Sequence, residues 1–336
     1  MKFIPLLLFL FLGFSTSFIL LRPEITSPSP ISQFFEGLYA HFSLPAPQEM
    51  VQRCFDPFTE ELFFKTLYGT NEILLDVNAR QAGALHWDFI KQMVRSFLER
   101  PATFCTIKSD EFTELLNALG VDNTEEWDLA NWLYYQAHYQ QLAYEFEPLI
   151  ENLENGNYTE AGDAYAVVLK NFVDRTKAEG MKGLALRGFF NGFAIGLDIA
   201  NPSDSLAVWN DTTAGYLMEF VEGVTEAISH GEWDHAYDSL HNFWMEKGKE
   251  LLEKIPGSVW EGLKKSGDYQ SLTSRLGMEL AGKEFRYLGL KFIGKKSLRV
   301  FLHMKVLEKN LKDFQMLHSG IVVGALVNQI IQSQKP

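Results

Sequence analysis

Cysteine is scarce in this chain: Cys54 and Cys105 are the only two in 336 residues. Positive charge is missing altogether between Lys108 and Lys170, a stretch that holds thirteen acidic residues. The whole chain carries a formal charge of −13, which opposes nonspecific binding to nucleic acid, since that needs a basic surface. No Gly-x-Ser-x-Gly elbow, phosphate-binding glycine loop or dinucleotide fingerprint is present, so the common signatures of hydrolases, nucleotide-binding proteins and dehydrogenases are lacking. Strict alternation of polar and apolar residues, the mark of a half-buried strand, is absent too. Nor does any long low-complexity run argue for disorder. What remains is an all-α chain with ordinary globular composition, 46% hydrophobic and 22% charged. At this length it can bury about three-quarters of its unfolded surface.

The strongest positive signal is internal similarity. Phe34-Phe35-Glu36-Gly37 is echoed by Phe189-Phe190-Asn191-Gly192, 155 residues on. At the same offset Asp56 falls on Asp211, Leu62 on Leu217 and Pro101 on Pro256. With a gap of one or two, Lys108-Ser109 answers Lys265-Ser266, and Leu115, Leu119 and Gly120 answer Leu272, Leu276 and Gly277. Ordered matches over about 90 residues point to a repeated supersecondary unit. The expected organisation is therefore two tandem copies of a multi-helix unit, residues 31–180 and 181–336, packed as an irregular helical array.

The N-terminus has the form of a targeting segment. Met1-Lys2 gives a positive start, Phe3 to Gly13 is apolar, and Ser15 and Ser17 supply small residues, so cleavage is expected after Ser17. The apolar run continues through Phe18 to Leu21, which leaves an uncleaved membrane anchor as the alternative. Residues 22–30, with three prolines, read as a linker. Either way the bulk of the chain is expected in the secretory pathway, extracellular or endolumenal. In that oxidising setting the two cysteines are expected to pair. Their counterparts in the second copy are not cysteine: Cys54 falls on Trp209, and Cys105 on Trp260 or Glu261. A bond between them would close a loop of about 50 residues, adding on the order of 3–4 kcal/mol. Two sequons, at Asn157 and Asn210, are candidate glycosylation sites; Asn201 is excluded by Pro202.

Helices are expected from Ser29, with Pro30 in the first turn, from Pro57 to Val77, and from Trp87 to Glu99. Short helices should follow up to Leu119, with Gly120 as a C-terminal cap. A long aromatic helix should run from Glu125 to Leu153, kinked at Pro148, with another from Gly156 to about Val173. Gly188, Gly192 and Gly196 share one helical face and allow close approach of another helix, and Gly320 and Gly324 repeat the device. In Gly156-Asn157-Tyr158, Gly231-Glu232-Trp233 and Gly267-Asp268-Tyr269 a glycine turn, a polar cap and a packing aromatic open a helix. Together with Phe-Phe-x-Gly and the segment Pro101 to Cys105, these patterns resemble uncharacterised secretory helical proteins of ciliates. The resemblance spans most of the chain after the targeting segment. It implies a helical secretory fold and brings no activity or binding residue with it.

Candidate chemistry is sparse. Glu232 and His235 have the Glu-x-x-His spacing of helical di-iron sites, but the second such motif is missing. Asp234, Asp238 and His241 share a helical face and are the weak candidates for a metal. Glu145 and Glu147, set among aromatics, point to different faces of a helix and so do not form a glycosidase pair. The tyrosines and tryptophans between Trp127 and Phe146 suit a core better than a sugar platform. No cofactor and no catalytic residue is assigned. From Lys283 to Asp313 nine basic residues stand against three acidic. This segment occupies the place of the acidic stretch in the other copy, and the two read as solvated faces of opposite charge. Lys291, Lys295, Lys296, Arg299 and Lys305 would be the ligand-binding residues if it meets an anionic lipid, a glycan or an acidic protein. The expected function is a non-enzymatic binding or structural protein. Its rivals are a membrane-associated protein using the anchor and this basic surface, and a carboxylate hydrolase.

Overall fold

The structure, a computed structural model, describes residues 28–78, 105–106, 108–121, 124–197, 208–230, 236–276 and 283–332. Every regular element among them is helical, so the protein is all-α. The expected helix over Trp87 to Glu99 and the expected targeting segment lie outside the described residues. The chain divides into two compact units, Met1–Ala178 and Glu179–Pro336.

Unit 1 begins with α1 (Pro30–His41), capped as the sequence indicates: the Ser32 N–H donates to the Ser29 hydroxyl and Pro30 occupies the first turn. Helices α2 (Gln48–Cys54) and α3 (Pro57–Asn78) follow. Asp56 opens α3 by accepting from both the N–H and the hydroxyl of Thr59. Then comes α4 (Asp110–Leu119), which starts on the Ser109 hydroxyl and ends on Gly120 at φ 70°, the left-handed cap. The long α5 (Thr124–Glu154) packs on α3 and bends within its length. Its bend is not at Pro148 but at His138 (φ −126°, ψ 19°). The N–H that Pro148 lacks would have met the carbonyl of Tyr144, and both residues lie on the exposed side of the helix, Tyr144 at 73%. Gly156, at φ 73°, ends α5: its N–H donates to Leu153 and the Asn157 N–H to Asn152.

Helix α6 (Tyr158–Gly196) runs well past Val173, where the sequence suggests a stop. It breaks instead at Gly180 (φ 71°, ψ 168°). Its first arm belongs to unit 1 and crosses α1 at two glycines. A Cβ on Gly37 would overlap the carbonyl of Thr159, and one on Gly162 would overlap the carbonyl of Phe34. Around this crossing lie Phe34, Phe63, Tyr165 and Phe146, all fully buried, with rings of Phe34 and Phe63 5.2 Å apart edge to face.

Unit 2 begins with the second arm of α6, whose first N–H groups, of Lys182 and Gly183, donate to the Asp211 carboxylate. Asn210 caps α7 (Asp211–Ser229) in a reciprocal box with Thr213. After α8 (Ala236–Phe243) a π-helical turn, Trp244–Gly248, leads into α9 (Lys249–Glu253). Next come α10 (Gly257–Lys265) and α11 (Gly267–Leu276). The cap of α11 is Ser266, whose hydroxyl accepts from the Tyr269 N–H, rather than Asp268. Of the other two glycine-polar-aromatic starts, 231–233 lies outside the described residues, and Gly156 serves as the left-handed stop of α5.

Helix α12 (Lys283–Lys312) packs against α7 and α13 and bends at Lys296 (φ −129°, ψ 31°). Phe314 (φ 53°) turns the chain into α13 (Met316–Gln332). The second arm of α6 crosses α13 at glycines. Cβ atoms on Gly192 and Gly320 would overlap the carbonyls of Leu317 and Phe189, and Gly196 and Gly324 continue the contact one turn on. Backbone-to-backbone approach at these crossings is why glycine stands there.

Candidate functional site

The two sulfur atoms expected to pair do so. Cys54 ends α2, Cys105 precedes α4, and a disulfide joins them with Cα atoms 5.7 Å apart. No cysteine is left as a thiol nucleophile.

The most closely knit polar group in unit 1 lies between α5 and the first arm of α6. The Arg175 guanidinium holds the Glu145 carboxylate at 2.8 Å and donates to the Tyr134 hydroxyl at 3.1 Å. Burial works against the charge of Arg175, but Tyr134 and Glu145 outweigh it and keep the guanidinium charged. A carboxylate fixed in this way serves as an ion-pair partner. Its other oxygen, Oε2, is buried with no hydrogen-bond partner among the described residues. Tyr134 stacks obliquely on His138 at 4.6 Å and meets Phe172 edge to face at 5.0 Å. Glu147, two residues on, is exposed on another face, so the two carboxylates do not converge.

Sequence reasoning singled out Glu145 for its aromatic neighbours and missed Arg175, since a partner on another helix leaves no local signal. It also missed a shallow pocket of about 160 Å³ lined by His41, Phe42, Leu119, Lys170, Val173 and Asp174. That volume is below the several hundred Å³ typical of small-molecule sites. Beside it, the Nδ1 of His41 and Asp163 are 2.8 Å apart.

Most of the aromatic run belongs to the core. Tyr134, Tyr135, Tyr139 and Phe146 are buried, and Tyr144 stands in solvent. Of the metal candidates, Asp238 and His241 are exposed on α8 and Asp234 lies outside the described residues. Among the described residues no three His, Cys, Asp or Glu side chains converge as a metal site would require. Asn157 is exposed at the entry to α6, and Asn210 is exposed while its side-chain oxygen caps α7.

The five basic residues, Lys291, Lys295, Lys296, Arg299 and Lys305, are all exposed on α12. The structure adds what the sequence did not flag: Leu298, Leu302 and Val306, on the same helix, are each at least half exposed. No described helix is long and apolar enough to cross a membrane. Comparison of the chain with family models, with curated proteins and with solved structures gave no match.

Proposed function

We propose that this protein is a secreted or endolumenal, non-enzymatic binding or structural protein built from two tandem copies of one helical unit. The observation that carries the compartment is the Cys54–Cys105 disulfide, which uses every cysteine of the chain. The targeting segment at residues 1–17 and the resemblance to ciliate secretory helical proteins fit the same reading.

Support for two copies comes from features that recur in order. The bends at His138 and Lys296 have nearly equal dihedrals and lie 158 residues apart. The left-handed residues Gly156 and Phe314 have the same spacing, as do the capping bonds Asn157 to Asn152 and Gln315 to Asn310. Ser109 and Ser266 cap α4 and α11 alike. The crossing Gly37/Gly162 is matched by Gly192/Gly320, contact for contact. Where unit 1 has its disulfide, Cys54 aligns with Trp209 and Cys105 with Trp260 or Glu261, and the rings of Trp209 and Trp260 meet edge to face at 5.8 Å. Each unit thus has a cross-link at that place, covalent in one and aromatic in the other.

Support for a non-enzymatic role is the disposition of the candidate groups. Glu145 is tied to Arg175, Glu147 faces away, and Asp238 and His241 stand in solvent. Intact mass after secretory expression and deglycosylation, with thiols blocked before and after reduction, tests the reading. A chain beginning at Phe18 whose cysteines are blocked only after reduction is expected. A chain beginning at Met1 with both thiols free overturns the compartment.

A further inference from the structure

Two exposed helix faces of opposite charge occupy equivalent positions in the two units. On α12, after its bend, Leu302, Lys305, Val306, Lys309 and Lys312 stand at i, i+3, i+4, i+7 and i+10 of one helix face and are all exposed. On α5, after its bend, Tyr144, Glu147, Pro148, Glu151 and Glu154 do the same. Each residue of one set is 158 positions from its counterpart in the other, so leucine answers tyrosine, valine answers proline, and every lysine answers a glutamate. The apolar pair is well exposed on both sides, Leu302 at 55% and Tyr144 at 73%.

We propose that these faces bind each other between molecules: α12 of one copy docks on α5 of another, and the protein self-associates. This names the partner left open by the structural role above and rests on that reading. Three observations select a second copy of this chain as occupant. The charges are complementary lysine for glutamate, each stripe opens on an exposed Leu302 or Tyr144 and carries a second apolar residue, Val306 or Pro148, between its charges, and both stripes have the same length. Lys305 and Lys312 also contact Glu308 on their own helix, at 3.6 and 2.6 Å. Glu308 is only 13% exposed, whereas Lys305 and Lys312 are 45% and 68% exposed and still face a neighbour. Because the two faces differ, two copies can pair reciprocally, α12 on α5 in both directions, and one-way use of the same contact builds rings or open chains. The net charge of −13 makes whole molecules repel. At about 0.1 M salt the Debye length is about 10 Å, which screens that repulsion more than contacts within the interface.

Two charge-reversed full-length proteins test the proposal: Glu147→Lys with Glu151→Lys, and Lys305→Glu with Lys309→Glu. All four positions are exposed, and thermal unfolding of each variant verifies that it is folded. Mass is measured by light scattering across a concentration series. The original protein is expected to grow beyond monomer with concentration. Each variant alone, now carrying like charges on both faces, should associate at least about tenfold more weakly. Mixed together, the variants should regain association, because each supplies the face the other needs. A monomer at every concentration overturns the proposal, as does association that survives the reversals or is not restored by mixing. Binding of monomers to phosphatidylserine vesicles, lost in the Lys305→Glu, Lys309→Glu protein, would instead assign the α12 face to anionic lipid. None of these outcomes depends on the thiol and mass measurements that test the compartment.

Discussion

A single methyl group decides the glycine crossings. A Cβ at Gly37 or Gly192 would run into the backbone carbonyl of the facing helix, and backbone cannot rotate away as a side chain can. Gly37→Ala and Gly192→Ala are each expected to destabilise their own unit by about 2–4 kcal/mol, read from denaturant melts. Gly69 is the control. It lies inside α3, where an added Cβ would meet nothing within 4 Å, so Gly69→Ala should be neutral or stabilise by up to about 1 kcal/mol. Glu308 is the residue through which pH acts. The hydrogen bond from Lys312, with help from Ser229 and from His230 at 2.9 Å, lowers its pKa to about 2. A carboxylate depressed in the folded state stabilises above its unfolded value near 4.5 and loses that contribution as pH falls toward 2. The melting temperature of the original protein should therefore fall between pH 4.5 and 2, and part of that slope should vanish in Glu308→Gln. An unchanged slope would show that Glu308 contributes nothing to folding.

At the scale of the element, the bends of α5 and α12 are set by residues with no helix-breaking character. His138 and Lys296 depart from helical dihedrals while Pro148 sits in a continuing helix. Proline costs a hydrogen bond only where water cannot replace it, and here it faces solvent. The cross-links of the two units respond to different chemistry. Reduction should lower the stability of unit 1 by about 3–4 kcal/mol through the freed loop and leave unit 2 unchanged. Trp260→Ala should do the converse, weakening unit 2 by about 2–3 kcal/mol through the lost packing on Trp209. Hydrogen exchange resolved along the chain reads both effects; protection lost in the wrong unit would break the correspondence between disulfide and tryptophan pair.

At the scale of the whole molecule, charge distribution matters more than its sum. The −13 total hides one helix face with lysines and another with glutamates at matching positions. If the faces meet between molecules, raising salt from about 0.1 M to 1 M shortens the Debye length from about 10 to 3 Å and should shift the average mass toward monomer. Mass that is constant or rises with salt would point to an apolar contact instead.

The sequence by itself determined what short-range rules control. Serine and proline at helix starts, glycine after Leu119, helical spacing of apolar residues and two cysteines in one half led to the all-α class, several caps and the disulfide. The Phe-Phe-x-Gly echo was legible because the same packing problem demands the same glycine twice. Only the tertiary structure decided where the long helices bend, that α6 runs past Val173 and breaks at Gly180, that Arg175 secures Glu145, and which aromatics are core. It alone also uncovered Leu298, Leu302 and Val306 among the lysines of α12. Periodicity states that residues share a face, whereas burial depends on what the rest of the chain places against it.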